Sequence, residues 1–280
     1  MATAITLKQL SYRYSEDQPF ALKAVTSKIP LGSFTMVVGP TGSGKSTLLR
    51  MLNGLLIPTR GEVTINPQLI KGKNIKQVVG LVFQNAADQL FASNVKSDLA
   101  FGPHNFKYSS QQIQKVIHML QLKFHFSTHF LSQSPTILSG GFQKQVALAG
   151  VVACQPKILL LDEPTVGLDT AHIHFLMKLL EDLRQKRVTI VMATHRMDLA
   201  AEYGTNIIAL NAGKLVSEQE PRRFFTNYHL LHELGLEQPY ATHFAEKLVH
   251  LGWKFPYLPI TLTELAGLIN KQRKAGESRE

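Results

Sequence analysis

Gly39, Pro40, Thr41, Gly42, Ser43, Gly44, Lys45 and Ser46 spell G-x-x-x-x-G-K-[ST], and Thr47 follows them. The spacing has a chemical logic. Gly42 and Gly44 let the backbone curl so that successive N–H groups face phosphate oxygens at the positive end of a helix. Lys45 places an ammonium on the β- and γ-phosphates, and Ser46 offers a hydroxyl to Mg²⁺. A nucleotide site of this kind also needs an acid at the end of a neighbouring strand. The run "ILLLDEP" supplies Asp162, placed to hold the metal shell through water, and Glu163, placed to polarise the water that attacks the γ-phosphate. Adjacent carboxylates repel unless a cation lies between them, which again calls for Mg²⁺.

Two more residues end strand-like runs. His195 closes "VTIVMATH", where the crevice of a parallel sheet binds ligands, and is placed to contact the γ-phosphate. Gln84 closes "LVFQ", and its amide oxygen is placed to reach Mg²⁺ and the attacking water. A second glycine pair lies in "LSGG", where Ser139, Gly140 and Gly141 precede the apolar run "QVALAGVVA". A hydroxyl and helix-start N–H groups make it a second phosphate receptor, for the same nucleotide or for one held by a neighbouring chain.

The elements that position these groups follow from periodicity. "FTMVVG" predicts a strand and "KSTLLRMLNGLL" a helix, with Leu48, Leu49, Met51, Leu52 and Leu55 in helical register. At the start, Ile5 and Leu7, then Leu10, Tyr12 and Tyr14, predict a strand with a slip between the two sets. "QQIQKVIHMLQL" and "AHIHFLMKLLEDLRQK" predict helices. "KILLLD" and "VTIVMATH" predict parallel strands covered on both faces, and "NIIALNAGKLV" predicts two strands joined at residues 211–213. The fold class is therefore α/β, a mainly parallel sheet with antiparallel pieces, followed from residue 223 by a small helical module with patterns "ATHFAEKLVHLG" and "TLTELAGLINKQ". The final "KAGESRE" is expected to fray.

Composition sets bounds. The apolar share of 44% is that of a globular protein, and no stretch approaches the ~20 apolar residues of a membrane span. The N-terminus shows no secretion signal. The single cysteine, Cys154, fits a reducing cytosol and a packed helix end. A net charge of +10 permits nucleic acid or an anionic membrane as partner, but the basic residues are dispersed, the densest runs being "KGKNIK" at 71–76 and the C-terminal "KQRK". The pairs His125/His129 and His172/His174 lack the further ligands a metal needs, and Trp253 is expected in a core or subunit interface.

Taken together, these residues resemble the ATP-binding-cassette (ABC) ATPases. "GPTGSGKST" is similar to the family's Walker A, Gln84 to its Q-loop, "LSGG" to its signature, "ILLLDEPT" to its Walker B, residues 167–169 to its D-loop and His195 to its switch histidine. The resemblance implies a P-loop nucleotide-binding domain over residues 1–222, with a helical subdomain at about 85–155, and a module at 223–280 that serves dimerisation. It implies that Tyr14 stacks on adenine and that Ser139, Gly140 and Gly141 cap ATP held by the opposite chain. A narrower likeness links "LVFQNAADQLFASNVKSDLAFGP" and "LGLEQPYATHF…LTELAGLI" to the A components of energy-coupling factor (ECF) transporters, which take up vitamins or transition-metal ions. That likeness implies ATP and Mg²⁺ as cofactors, a second and often non-identical A subunit, an integral membrane T component, a substrate-binding S component, no nucleic-acid partner, and a peripheral place on the cytoplasmic side of the cell membrane. Against a soluble ABC ATPase of DNA or ribosomes stand the single cassette and the missing heptad insertion. Against a non-catalytic scaffold stand Glu163 and His195. One departure is visible: Phe142 and Gln145 replace the glutamine or glutamate and the arginine usual after LSGG, so two sites in a heterodimer are expected to be unequal.

Overall fold

The structure, a computed structural model, describes residues 2–70 and 75–277. The first four residues of the basic run at 71–76 lie outside them. β1 (Thr3–Tyr12) buries Ile5, Leu7 and Leu10, and its antiparallel pairing with β2 (Leu22–Pro30) shifts register between Leu7 and Leu10, where Gln9 has a φ of 48°. β3 (Phe34–Val38) is buried throughout and feeds the glycine loop, which leads into α1 (Lys45–Leu52). That helix buries Leu48, Leu49, Met51 and Leu52; it ends before Leu55, which the helical register includes and which is half exposed beyond the turn. β4 (Arg60–Ile65) pairs with the free edge of β1, completing a small antiparallel sheet of order β2-β1-β4.

After α2 (Pro67–Ile70) and α3 (Ile75–Val78), β5 (Val79–Val82) opens the helical subdomain. This comprises a 3₁₀ turn at Ala86–Gln89, α4 (Val95–Asn105), α5 (Ser110–Phe124), α6 (Thr128–Ser132) and α7 (Gly140–Ala153). A capping box, Ser109 with Gln112, starts α5, and its Ile113, Val116, Ile117 and Leu120 are buried as their spacing requires. β6 (Ile158–Asp162), α8 (Thr170–Gln185), β7 (Thr189–Ala193), α9 (Met197–Tyr203) and the hairpin of β8 (Asn206–Asn211) with β9 (Lys214–Gln219) follow. The large sheet has the order β5-β6-β7-β3-β8-β9, parallel except for the last pair.

Strand residues alternate between two cores. Phe34, Met36, Leu159, Leu161, Ile190 and Met192 face the helical layer, while Val37, Ile158, Leu160, Val191 and Ala193 face α1 and the antiparallel sheet. Both faces of the sheet are covered, as unbroken apolar runs demand.

The last segment is α10 (Pro221–Phe225), α11 (Tyr228–Glu233), α12 (Tyr240–His250) and α13 (Leu262–Glu277). Although the sequence style changes near residue 222, Phe224, Phe225, Leu231, Leu234 and Ile260 belong to the large core; Ala241, Ala245 and Leu265 form a separate small one. Arg222 ties the two by an ion pair to Glu264 and a hydrogen bond to the Leu258 carbonyl at 3.2 Å. Trp253 is half-buried and stacks on Phe255. The first part of the end expected to fray is helical, to Glu277, and the rest of that run lies outside the described residues. Among the described residues no helix is long and apolar enough to cross a membrane. Because Phe224 is fully buried at the junction and Phe244 is half exposed, Phe224→Ala should cost about 3–5 kcal/mol of unfolding free energy in urea titration. Phe244→Ala should cost under about 1 kcal/mol.

Candidate active site

The glycine loop keeps its shape through backbone conformations that side chains resist. Gly42 and Gly44 have φ of 78° and 103°, and a Cβ on Gly44 would lie 2.7 Å from the Ala21 carbonyl oxygen. Within the loop the Ser43 N–H donates to Pro40 O at 3.1 Å, and the Gly213 N–H of the β8–β9 turn donates to Ser43 O at 3.1 Å. The Lys45 ammonium is buried and donates to the carbonyls of Gly39 at 2.9 Å and Pro40 at 3.0 Å. Ser43 Oγ is buried with no protein partner among the described residues, a donor that the loop itself does not use. Tyr14, half exposed, shares a hydrogen bond with Thr47 Oγ1 at 2.9 Å and stands edge-on to Tyr12. The aromatic face is thus tied to the end of the phosphate loop.

Two strand ends bring the acids and the histidine to this loop. Ser46 Oγ donates to Asp162 Oδ1 at 2.9 Å. One residue on, Glu163 Oε1 lies 2.9 Å from His195 Nε2, and the Glu163 N–H donates to Ala193 O at 3.1 Å. Glu163 takes a φ of 48°, a left-handed backbone that costs a non-glycine residue about 1–2 kcal/mol. Such strain at a site is the kind of outlier from which function is inferred. Burial pushes the Glu163 carboxyl above its ordinary value, against the pull of His195 and Lys45; Asp162 adds to the rise. Burial likewise raises Asp162, opposed by the Ser46 hydrogen bond and by Arg50 and Lys45. Lys45 is lowered by its own burial and partly restored by Glu163 and Asp162. Two buried carboxyls beside a serine hydroxyl form a hard-oxygen set suited to a divalent cation.

Gln84 lies in the bend just past β5, exposed at the next strand end. Ser139, Gly140 and Gly141 start α7, where the Ser139 carbonyl accepts from Gln143 N at 2.9 Å and its hydroxyl makes no cap bond. The contacts of this first turn go to the D-loop region. Phe142 packs on Phe130 and edge-on to His172, and the Lys144 ammonium donates to the Val166 carbonyl. His172 Nδ1 is 2.8 Å from Asp169 Oδ1, which also accepts the His172 N–H. Cys154 caps the far end of α7, and burial pushes its thiol up to about 11.

Sequence reasoning misses four supports of this machinery. Gln89 accepts from Phe83 N at 2.8 Å and donates to Leu81 O at 3.0 Å, bracing the bend that carries Gln84. Asp98 accepts from the amides of Phe91 and Ala92. Lys144 and His172 hold the D-loop region. Nothing in their spacing distinguishes them from ordinary polar residues.

This geometry first defines a class: a phosphate-loop ATPase with its acids and histidine on neighbouring strand ends. Residues 22–166 match the family model described as ABC transporter, and the chain belongs to that family. It is 43% identical to the energy-coupling factor transporter ATP-binding protein EcfA2 of Lactiplantibacillus plantarum, over 96% of this chain and 95% of that one. It is 40% identical to EcfA2 of Enterococcus faecalis, over 98% of this chain and 99% of that one. Among solved structures, cbiO1 of Clostridium perfringens, part of the ABC transporter complex cbiONQ, aligns with a TM-score of 0.71 and 31% identity, covering 88% of this chain and all of that one. The cassette MJ0796, a dimer in a post-hydrolysis state with ADP and Pi, aligns with a TM-score of 0.68 and 31% identity over 78% of this chain and 99% of that one. The chain is an ABC ATPase that resembles the A components of ECF transporters.

The raised Glu163 carboxyl has a measurable consequence. With its folded value above the ordinary 4.5, this group stabilises the fold fully below pH 4.5, and that contribution is lost as pH rises through the raised value. Glu163→Gln should therefore raise the thermal midpoint of the nucleotide-free chain at pH 7–8, and the gain should vanish at about pH 4 in the same calorimetric series.

Proposed function

We propose that this chain is the ATP-hydrolysing subunit of an ECF-type importer. It sits on the cytoplasmic side of the cell membrane, and its turnover drives uptake of a vitamin or a transition-metal ion. The observation that carries this reading is the extent of the likeness. The EcfA2 relatives match over 95–98% of the chain, including the C-terminal helices, well past the family model's end at residue 166.

In this reading Lys45 and the loop amides hold the β- and γ-phosphates, Tyr14 stacks on adenine, and Glu163 orients and polarises the attacking water. His195, 2.9 Å from Glu163, holds that carboxylate and reaches the γ-phosphate. Ser46, Gln84 and Asp162, the last through water, would hold Mg²⁺, which neutralises phosphate charge. Ser139, Gly140 and Gly141 cap the ATP of a second, non-identical A subunit, and the module at 223–280 contributes to that pairing.

A membrane T component docks beside the Q-loop segment, and an S component selects the cargo. Support for the docking comes from a groove lined by Leu81, Leu90, Phe91, Asp98, Phe101 and Val151, where Phe91 and Phe101 are exposed and meet edge to face at 4.5 Å. An exposed aromatic pair in a concave apolar setting suits an incoming helix. Asp98 Oδ2, buried there without a partner among the described residues, would accept a donor from it.

Native mass spectrometry of the detergent-solubilised complex tests the assembly. The expected species contains this chain, a second A subunit and an integral membrane protein; recovery of the chain only as a free soluble species sinks the reading. Phe91→Asp with Phe101→Asp should cut recovery of the membrane subunit roughly tenfold or more. In the assembled complex, Glu163→Gln should slow hydrolysis by about 10²- to 10⁴-fold with ATP binding retained. Wild-type turnover in that variant would mean that this Walker B site is idle.

A further inference from the structure

The first turn of α7 does not end at the signature glycines. Along its length α7 packs against α4 and α5, with an apolar crevice on its α8 side lined by Val82, Leu148, Leu161, Leu168 and Leu176. Across that crevice the signature turn reaches the D-loop region by side chains. His172 makes the central contact. Its Nδ1 lies 2.8 Å from Asp169 Oδ1. A carboxylate only accepts, so this nitrogen carries the proton. Its opposite edge faces the signature: the Phe142 ring meets it edge-on at 5.6 Å, and a Cβ on Gly141 would come within 3.2 Å of Cδ2 and Nε2. A Cβ at position 141 would therefore press on the imidazole, which would have to give by a few tenths of an ångström. Lys144 adds a second tie to the Val166 carbonyl, three residues beyond Glu163.

We propose that His172 is a positioning residue for ATP hydrolysis, a strut that fixes the signature turn to the D-loop so that both move as one piece. The inference rests on the two-chain sandwich proposed above. In that arrangement the signature turn touches the neighbour's nucleotide, while the D-loop continues directly from this chain's own Glu163. Closure on one ATP is thereby passed through His172 to the loop that carries the acid of the other. The departure at Phe142 acquires a role: the ring that replaces the usual polar residue supplies the edge-on partner for the imidazole.

Three variants of the full chain, assayed in its membrane complex, separate the two halves of the strut. His172→Phe keeps a ring against Phe142 and loses the proton on Asp169. His172→Asn keeps a donor at the Nδ1 position and loses the ring. Phe142→Ala removes the partner ring. Each should lower kcat about fivefold or more, the scale of one lost charge-assisted hydrogen bond or well-packed ring. The KM for ATP should stay within about twofold and the thermal midpoint within about 2 °C. Wild-type kcat in His172→Asn would reduce the contact to a local helix cap and overturn the proposal. So would wild-type kcat in His172→Phe or Phe142→Ala, or a loss of kcat matched by a fall in thermal midpoint. The sandwich fails on different evidence, full-rate hydrolysis by a strictly monomeric wild-type preparation.

Discussion

The candidate catalytic groups stand where they do because four neighbouring strands are hydrogen-bonded in parallel and in a particular register. Val37 of β3 pairs with Ala193 of β7, and Ala193 pairs with Asp162 of β6; Val82 of β5 pairs with Leu161, one residue earlier. Gly39 and His195 each lie two residues past that line, Glu163 one, and Gln84 two past Val82. With strands about 4.8 Å apart, the loop, the histidine and the two acids fall within a single crevice. A slip of one residue in any strand would turn its terminal side chain to the other face and exchange its residues between the two cores. Met36, Leu161 and Met192 fill one core and Val37, Leu160 and Val191 the other, so a slip would misfit both at once, and packing far below the crevice sets distances inside it.

Charge balance in the crevice follows from the same placement. Lys45, Asp162 and Glu163 are buried together beside the exposed His195, and each acid is raised by burial and lowered by a neighbouring cation. The Ser46 hydroxyl ties one acid to the loop and the imidazole ties the other to the next strand. The unlike roles proposed for the adjacent carboxylates follow from these different partners, since their chain positions differ by one residue only.

Much of this was legible in the linear chain, for a physical reason: each group that ends an apolar run is aimed into the crevice by the run itself. Asp162, Glu163, His195 and the glycine loop all obey that rule, and the slip in β1 showed as a break between Leu7 and Leu10. What stayed hidden depends on contacts between segments that the spacing does not link. Lys144 of α7 meets Val166 in a loop, and Phe142 of α7 meets His172 at the start of α8. Gln89 folds back on Leu81 and Phe83 in a bend with no periodicity. Phe224 and Phe225 enter the large core although the sequence around them already looks like a different module, because a short helix can turn its aromatics inward wherever it lands.

The left-handed backbone at Glu163 ties this geometry to inheritance. A buried acid on strained backbone is an unfavourable residue for folding, and in the proposed reading it is retained by what it does to water at the end of a phosphate chain. In a lineage relieved of turnover, neutral drift would run downhill at this codon first, toward amides or glycine, while the glycine loop and strand register persisted. Paired cassettes in which one member has lost this acid would then be an ordinary outcome of relaxed selection, and gene duplication the circumstance that permits it.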